Sequence, residues 1–496
     1  MAVAENWKER STHLDYRHQA FINNEYVDAA SGASFECISP IDGQALTEVA
    51  SCDSEDVNRA VHAARTAFES GAWSNLPSAK RKRVLLKFAD LITAHGDELA
   101  LLETLDMGKP ITSSLRGDIP GVAGTVRWFA EAIDKIYDEI SPSDGKGLGL
   151  ITREPLGVVG AVVPWNFPLL MAAWKFAPAL AAGNSVIIKP AEQSPLSTLR
   201  VAELAAEAGI PAGVFNVIPG FGESAGQALG RHMDVDALTF TGSTEVGKLF
   251  LRYSGESNMK MISLECGGKS PNIIMEDTPD LDIAARESAI SIFYNSGQVC
   301  VAASRLLVHE NIREEFLEKV AKFSAAMTPG DPLDSTTRQG SMVDENQMNR
   351  VLSYIDKGKS EGANLAHGGT RVRQNSGGFY IEPTIFDQVS NNMTIAQEEI
   401  FGPVLSTITF KDPEEAVKIA NDTIYGLRAN LWTSNLNTAH KMAKALNAGT
   451  VNVNTTDGGD ITMPFGGYKQ SGLGRDNSLH AFDKYCQLKS TYIRIT

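Results

Sequence analysis

The residues best suited to covalent chemistry lie in the run Asn295-Ser-Gly297-Gln-Val-Cys300-Val-Ala-Ala-Ser304-Arg305. Cys300 follows a glycine turn, between a predicted helix over 281–294 and a predicted strand over 305–308. A cysteine at such a junction can expose its sulfur and aim backbone N–H groups at an oxyanion. A free cysteine can equally pack as a small buried hydrophobe. Ser263-Leu-Glu265-Cys266-Gly267-Gly268-Lys269-Ser270 ends an apolar run with a carboxylate beside two glycines. That suits a movable general base, and it also suits a surface glutamate at a strand end. Pro164-Trp165-Asn166-Phe167-Pro168 holds an amide rigidly between two prolines, as an oxyanion donor or as a loop-stabilising side chain.

These three segments need a scaffold, and the chain between and around them supplies one. Short β-rich runs at 185–188, 213–218 and 237–240 alternate with amphipathic runs at 199–208, 223–229 and 243–253. Later come helices over 281–294 and 312–327, a strand over 305–308, and further helices over 414–419 and 438–446. This rhythm predicts doubly wound parallel sheets in two α/β domains. Two glycine-rich turns follow predicted strands. Gly220-Phe-Gly222-Glu-Ser-Ala-Gly226 has its third glycine one position late for a dinucleotide fingerprint, and turn and packing chemistry explains it as well. Phe240-Thr-Gly242-Ser243-Thr-Glu-Val-Gly247 starts a helix whose free N–H groups could receive a diphosphate, or it is an ordinary Ser cap.

Composition narrows the class. A length of 496 residues calls for two or three domains of about 150 residues each. The net charge of −15 argues against nucleic acid or anionic lipid as partner, since both are polyanions. Five scattered cysteines without a CxxC indicate free thiols in a reducing compartment. The nine histidines form no metal-ligand spacing, so no metal is expected. The N-terminus is polar, and the longest apolar region, 157–174, is broken by Pro164, Asn166 and Pro168. Neither a signal peptide nor a membrane span is expected, and the reading is cytoplasmic.

Taken together, PWNFP, IIKPAE, FTGSTEVG, LECGGKSP, GQVC, EEIFGP and PFGGYKQSG resemble the aldehyde dehydrogenase superfamily, in order and spacing, from about Phe21 onward. The resemblance implies that Cys300 is the nucleophile and that Asn166, with the Cys300 N–H, holds the oxyanion. Glu265 would activate the water that hydrolyses the thioester. It implies a dinucleotide held by Lys189 and Glu192 at the adenosine ribose, by Gly242, Ser243 and Gly247 at the diphosphate, and by Glu399 and Phe401 at the nicotinamide. Trp165 would line the channel. A carboxylate at Glu192 favours free ribose hydroxyls, so NAD is expected over NADP. Lys175 and Asp476 resemble a proton-relay pair, although many members carry Glu at the second position. Cys266 stands where Leu or Ala is usual.

The longer stretches TLDMGKPITSSLRGDIP, RWFAEAIDKIYDE and GGDITMPFGGYKQSGLGRDNSLHAFDKY resemble bacterial dehydrogenases of γ-glutamyl-γ-aminobutyraldehyde and of ω-amino and guanidino aldehydes, which act in putrescine, polyamine and arginine breakdown. Phe167, Trp174 and Phe465 would wall the substrate, and Asp118, Asp457 and Asp460 are the candidates to meet a cationic tail. Gly458 and Gly459, where relatives place bulkier residues, suggest a wide mouth. The competing expectations are a broad aliphatic aldehyde dehydrogenase, a CoA-acylating member (which would commonly lack Glu265), and a silent protein on the same fold. The implied architecture is a nucleotide domain (1–136 and 156–265), a catalytic domain (266–468) and a small β oligomerisation arm (137–155 and 469–496). The arm combines a hairpin over 137–154 with a strand over 487–495, and a homodimer or homotetramer is expected.

Overall fold

The computed structural model describes residues 6–142 and 145–495. The first five residues of the N-terminal reading, residues 143–144 within the hairpin expected over 137–154, and residue 496 lie outside the described residues. Two large sheets carry the chain. In the first, five parallel strands run in the order Phe215–Val217, Ser185–Lys189, Val158–Val162, Ala237–Thr241, Met261–Glu265. The antiparallel strands Ala20–Ile22 and Glu25–Val27 extend one side, and Gly472–Leu473 closes the other. The four strands Phe215–Val217, Ser185–Lys189, Val158–Val162 and Ala237–Thr241 are buried along their whole length. Helices cover both faces, which is why these strands read as continuous apolar runs rather than alternating ones.

The chain order reverses between Val158–Val162 and Ala237–Thr241. At such a switch point the loops beyond the carboxyl ends diverge and leave a crevice. The segment Pro164–Pro168 leaves one of these strands, and Gly242–Ser243 leaves the other. Helix Thr244–Gly255 follows directly, capped by the Ser243 hydroxyl accepting from Val246 N. The Ser cap read from the sequence is therefore present, and it leaves the helix start facing the crevice.

The second sheet has the order Asn364–His367, Thr384–Asp387, Val404–Phe410, Arg305–His309, Pro271–Ile274, Arg428–Trp432, Thr450–Val453, parallel except for the first strand. Residues 266–270 carry the chain from the carboxyl end of Met261–Glu265 to the amino end of Pro271–Ile274. The carboxyl edge of one sheet therefore meets the amino edge of the other. Cys300 sits just ahead of strand Arg305–His309, on that same amino edge.

A third, three-stranded sheet pairs Cys486–Arg494 with Gly147–Pro155, and the latter with Glu139–Ser141. This is the expected arm, with one correction. Gly472–Leu473, assigned to the arm with the rest of 469–496, pairs with Met261–Glu265 in the first sheet, while the arm strand expected over 487–495 runs Cys486–Arg494. The correction has a simple cause: the outer edge of Met261–Glu265 needs backbone partners, and the returning chain supplies them.

A candidate active site between two sheets

One cavity at the meeting of the sheets is lined by Pro164, Trp165, Asn166, Glu265, Cys266, Cys300, Glu399 and Phe401, with Gly242 and Ser243 at one end. The three residues singled out for chemistry, distant in sequence, thus share one space. Cys300 is held there by a strained turn. Asn295, Ser296 and Gly297 are all left-handed, with φ of 50°, 54° and 73°, and together they reverse the chain after helix Leu281–Phe293. Gln298 locks the turn: its Nε2 donates to Asn295 O (3.1 Å) and its Oε1 accepts from Val343 N (2.9 Å). Gly268 is required opposite, because a Cβ there would come within 2.6 Å of the Cys300 carbonyl.

Asn166 is buried, and its Nδ2 donates to the Gln298 carbonyl at 2.9 Å. One amide hydrogen is thereby committed to orientation, and the other remains for an oxyanion. Asn295 Nδ2 donates to the Asn166 carbonyl at 3.0 Å, tying the two loops together. The loop is also anchored from behind. Buried Glu103 accepts from Leu169 N at 2.8 Å, in the first turn of helix Pro168–Ala182.

Electrostatics set the resting protonation. Burial, with Glu265 and Glu399 nearby, pushes the Cys300 thiol up to about 12. Burial and the Asp476 charge push Glu265 up to about 8, and its buried Oε1 has no hydrogen-bond partner. Glu265 itself lines the cavity that holds Cys300, so its carboxylate, once ionised, is placed to accept a proton there. Behind it, Asp476 binds both Lys175 and Lys484. Burial alone would raise the Asp476 carboxyl, but the two lysines outweigh it and hold it below its ordinary value. Burial likewise raises Glu399 to about 7, although its Oε1 accepts from Gly268 N at 3.0 Å.

Of the residues expected to hold a dinucleotide, Trp165, Gly242, Ser243, Glu399 and Phe401 line this cavity, whereas Gly247 packs against Cys266 and Leu264. Lys189 ends its strand beside Val162 and is buried, and its Nζ donates to Glu192 Oε2 at 3.1 Å. Ser243 starts the helix, buried Thr241 Oγ1 lacks a partner, and Trp165 meets Phe401 edge-on at 5.1 Å. A carboxylate–lysine pair, a free helix start and an aromatic slot fit a ribose, a diphosphate and a flat ring in sequence. Sequence reasoning missed Gln347 and Arg350, which line the cavity from helix Glu345–Ser360. Gln347 Nε2 donates to the carbonyl of Phe401 at 2.9 Å and so fixes that left-handed residue. The signal was present in Asp344, an N-cap that accepts from Gln347 N.

A second, outer cavity of about 650 Å³ lies along helix Pro168–Ala182, which presents Met171 to the inner space and Leu170 and Trp174 to the outer one. Trp174 and Phe465 form its wall, edge-on at 5.0 Å, and Asp457, Gly458, Gly459 and Asp460 its rim. Phe167 lines neither cavity. It stacks on Tyr294 and lies under the Lys109 ammonium. Asp118 is not at the mouth: it is buried in an ion pair with Lys109, which uses its charge internally. Among the described residues no group of His, Cys, Asp and Glu could hold a metal, and no helix is long and apolar enough to cross a membrane.

A thiol, a buried carboxyl and an amide at the switch point of a doubly wound sheet define a nucleotide-dependent oxidoreductase that works through a covalent thiol adduct. The comparisons make the class specific. Residues 26–491 match the model of the aldehyde dehydrogenase family, and the chain belongs to it. It is 51% identical over 490 residues to the NADP/NAD-dependent aldehyde dehydrogenase PuuC of Escherichia coli, covering 99% of this chain and 98% of PuuC. The indole-3-acetaldehyde dehydrogenase AldA of P. syringae, solved with NAD+ and IAA, superposes with a TM-score of 0.98 at 58% identity, over 99% of both chains. The γ-glutamyl-γ-aminobutyraldehyde dehydrogenase of Burkholderia cenocepacia superposes at 0.97 with 57% identity, over 99% of both. The protein is an NAD(P)-dependent aldehyde dehydrogenase.

Proposed function

We propose that the chain oxidises an aldehyde to a carboxylate on Cys300, with Glu265 as base and Asn166 as oxyanion donor. The observation that carries this is that Glu265, a buried carboxyl with an unpartnered Oε1, lines the same cavity as Cys300 and Asn166. Glu265, once deprotonated, takes the thiol proton directly or through a water. The thiolate adds to the aldehyde carbon, and the second Asn166 amide hydrogen and the Cys300 N–H receive the alkoxide. Lys189, Glu192, Ser243, Glu399 and Phe401 would hold NAD(P), whose nicotinamide would supply the two-electron acceptor needed to reach the thioester. Glu265 then removes a proton from the water that attacks the thioester, and Cys300 leaves as thiolate. Glu192 paired with Lys189 supports NAD over NADP, because a 2′-phosphate would meet a carboxylate.

For the substrate, we favour an aldehyde with a cationic tail: ω-amino, γ-glutamylamino or guanidino. Asp457 and Asp460 on the outer rim support it, as do the names of the PuuC and Burkholderia relatives. The second reading is a broad specificity for aromatic and aliphatic aldehydes, supported by the Trp128, Trp174 and Phe465 wall and by the likeness to an indole-3-acetaldehyde dehydrogenase. NADH formation across γ-aminobutyraldehyde, its γ-glutamyl derivative, 4-guanidinobutyraldehyde, propanal and benzaldehyde, with wild type and Cys300→Ala, separates them. Activity lost in Cys300→Ala and highest on the cationic tails supports the proposal. Highest activity on benzaldehyde or propanal removes the tail assignment.

A further inference from the structure

The outer cavity carries more charge than its rim aspartates. Arg127, Glu131, Arg428, Asp457 and Asp460 all line it. Most of these charges are spent. Arg127 binds Asp90 at 2.6 Å, Glu131 binds Lys82 at 2.6 Å, and Asp460 Oδ1 accepts from Thr462 N at 2.8 Å in its own turn. Arg428 and Asp457 form no ion pair among the described residues. Arg428 is half-buried at the start of strand Arg428–Trp432, on the sheet edge that carries Cys300. Its Nη1 donates to the Thr456 carbonyl at 3.2 Å, and its buried Nε has no acceptor. It lies within electrostatic reach of both the Cys300 thiol and the Asp457 carboxylate, and burial, the larger effect, holds its pKa below the ordinary value.

A guanidinium that is half-desolvated and lacks a carboxylate is costly unless a ligand completes it. Its planar fork suits a carboxylate better than any other common group. An exposed aspartate beside it suits an ammonium. We propose that Arg428 and Asp457 receive an α-amino-acid terminus, so that the aldehyde carries a carboxylate at its far end for Arg428 and an adjacent ammonium for Asp457. Of the three tails favoured above, only the γ-glutamylamino tail has both groups. This inference rests on reading the outer cavity as the aldehyde's way in.

The test compares 4-(γ-glutamylamino)butanal with the same aldehyde whose α-carboxylate is a carboxamide, using the full-length protein and NAD. Wild type should favour the carboxylate by about tenfold or more in kcat/KM, carried by KM. Arg428→Gln should compress that ratio to within about twofold, and Arg428→Lys should leave an intermediate ratio. If Arg428→Gln does not fold, Arg428→Lys carries the test, and an undiminished preference in it overturns the inference. Equal use of both compounds by wild type, or an undiminished preference in folded Arg428→Gln, overturns the inference. Oxidation of propanal but of neither tailed aldehyde overturns it and leaves aldehyde oxidation standing. Failure on propanal as well overturns both.

Discussion

Glu399 occupies the space that a side chain at position 267 would need: a Cβ on Gly267 would lie 1.9 Å from Glu399 Oε2. The same carboxylate accepts from Gly268 N at 3.0 Å, so the two glycines and Glu399 form one unit beside Cys300.

Gly267→Ala should therefore behave as a Glu399 mutant. Gly267 has no left-handed φ, and the clashing atom is the end of a flexible side chain, so the variant should fold and Glu399 should swing away. Both Gly267→Ala and Glu399→Ala should lower kcat/KM by about tenfold or more, and the double variant should be no worse than either alone. Steady-state kinetics on the four proteins checks this. Additive losses would show that the close approach of the two residues does not matter.

The raised pKa of Glu265 fixes the sign of the pH dependence. At about 8 the group is mostly protonated at neutral pH and becomes a base only as the pH rises. In the free enzyme, kcat/KM should climb with pH through a limb near 8, and Glu265→Gln should lose both the limb and about 100-fold or more of the rate. Asp476→Asn removes one of the charges that raise Glu265, so the limb should move to lower pH in whatever protein folds. The cost is stability, since Lys175 and Lys484 are left buried without their partner, about 3–5 kcal/mol. A flat profile for wild type between pH 6 and 9 (a range of about three units around neutrality) would remove Glu265 as the base.

How much of this arrangement could be read from the chain depends on what fixed each part. The parallel strands at 185, 237 and 305 and the helices after them were legible because burial on both faces makes unbroken apolar runs, and because capping residues such as Ser243 and Asp280 mark helix starts. Glu265, Cys300 and Asn166 were each ambiguous alone; their order made them a resemblance, and the switch point explains why they meet. Asp118 misled because its partner Lys109, nine residues earlier, lies beyond any helical period. Nothing in the local sequence shows that the left-handed Gly108 and Pro110 redirect the chain and return that lysine to it. Arg428 went unread for a similar reason: at a strand start it looks like any surface arginine, and only the packed sheet leaves its Nε without an acceptor.

The cofactor preference should follow the Lys189–Glu192 pair. With Glu192 in place, its carboxylate opposes a 2′-phosphate and also occupies the ammonium that could bind one. Glu192→Ser removes the repulsion and frees Lys189. The ratio of kcat/KM for NADP over NAD should rise by about ten- to hundredfold, the size of one close charge contact near a protein surface. Initial rates with each dinucleotide at fixed aldehyde provide the measurement. An unchanged ratio would place the ribose away from Glu192.

The arm makes a prediction about assembly. Among the described residues, strand Cys486–Arg494 pairs on one side only, with Gly147–Pro155, and the alternate residues along its other edge leave their backbone groups without a strand partner. Along and beside it Leu488, Tyr492 and Ile495 are more than half exposed, as are Tyr137 and Ile140 across the small sheet. Monomeric proteins protect such edges with charge, proline or a covering element, and apolar side chains this exposed in one small sheet are expensive to leave in water. A second copy of the chain is the occupant that supplies a matching edge, because the same strand can pair with its own symmetry mate. Light scattering on the wild type should give a dimer or tetramer at micromolar concentration. Lysine at both Leu488 and Tyr492 should shift it toward monomer, and should leave the Cys300 cavity, built from the two large sheets, intact. A wild type that runs as a monomer would mean that the arm's apolar edge serves something other than self-association.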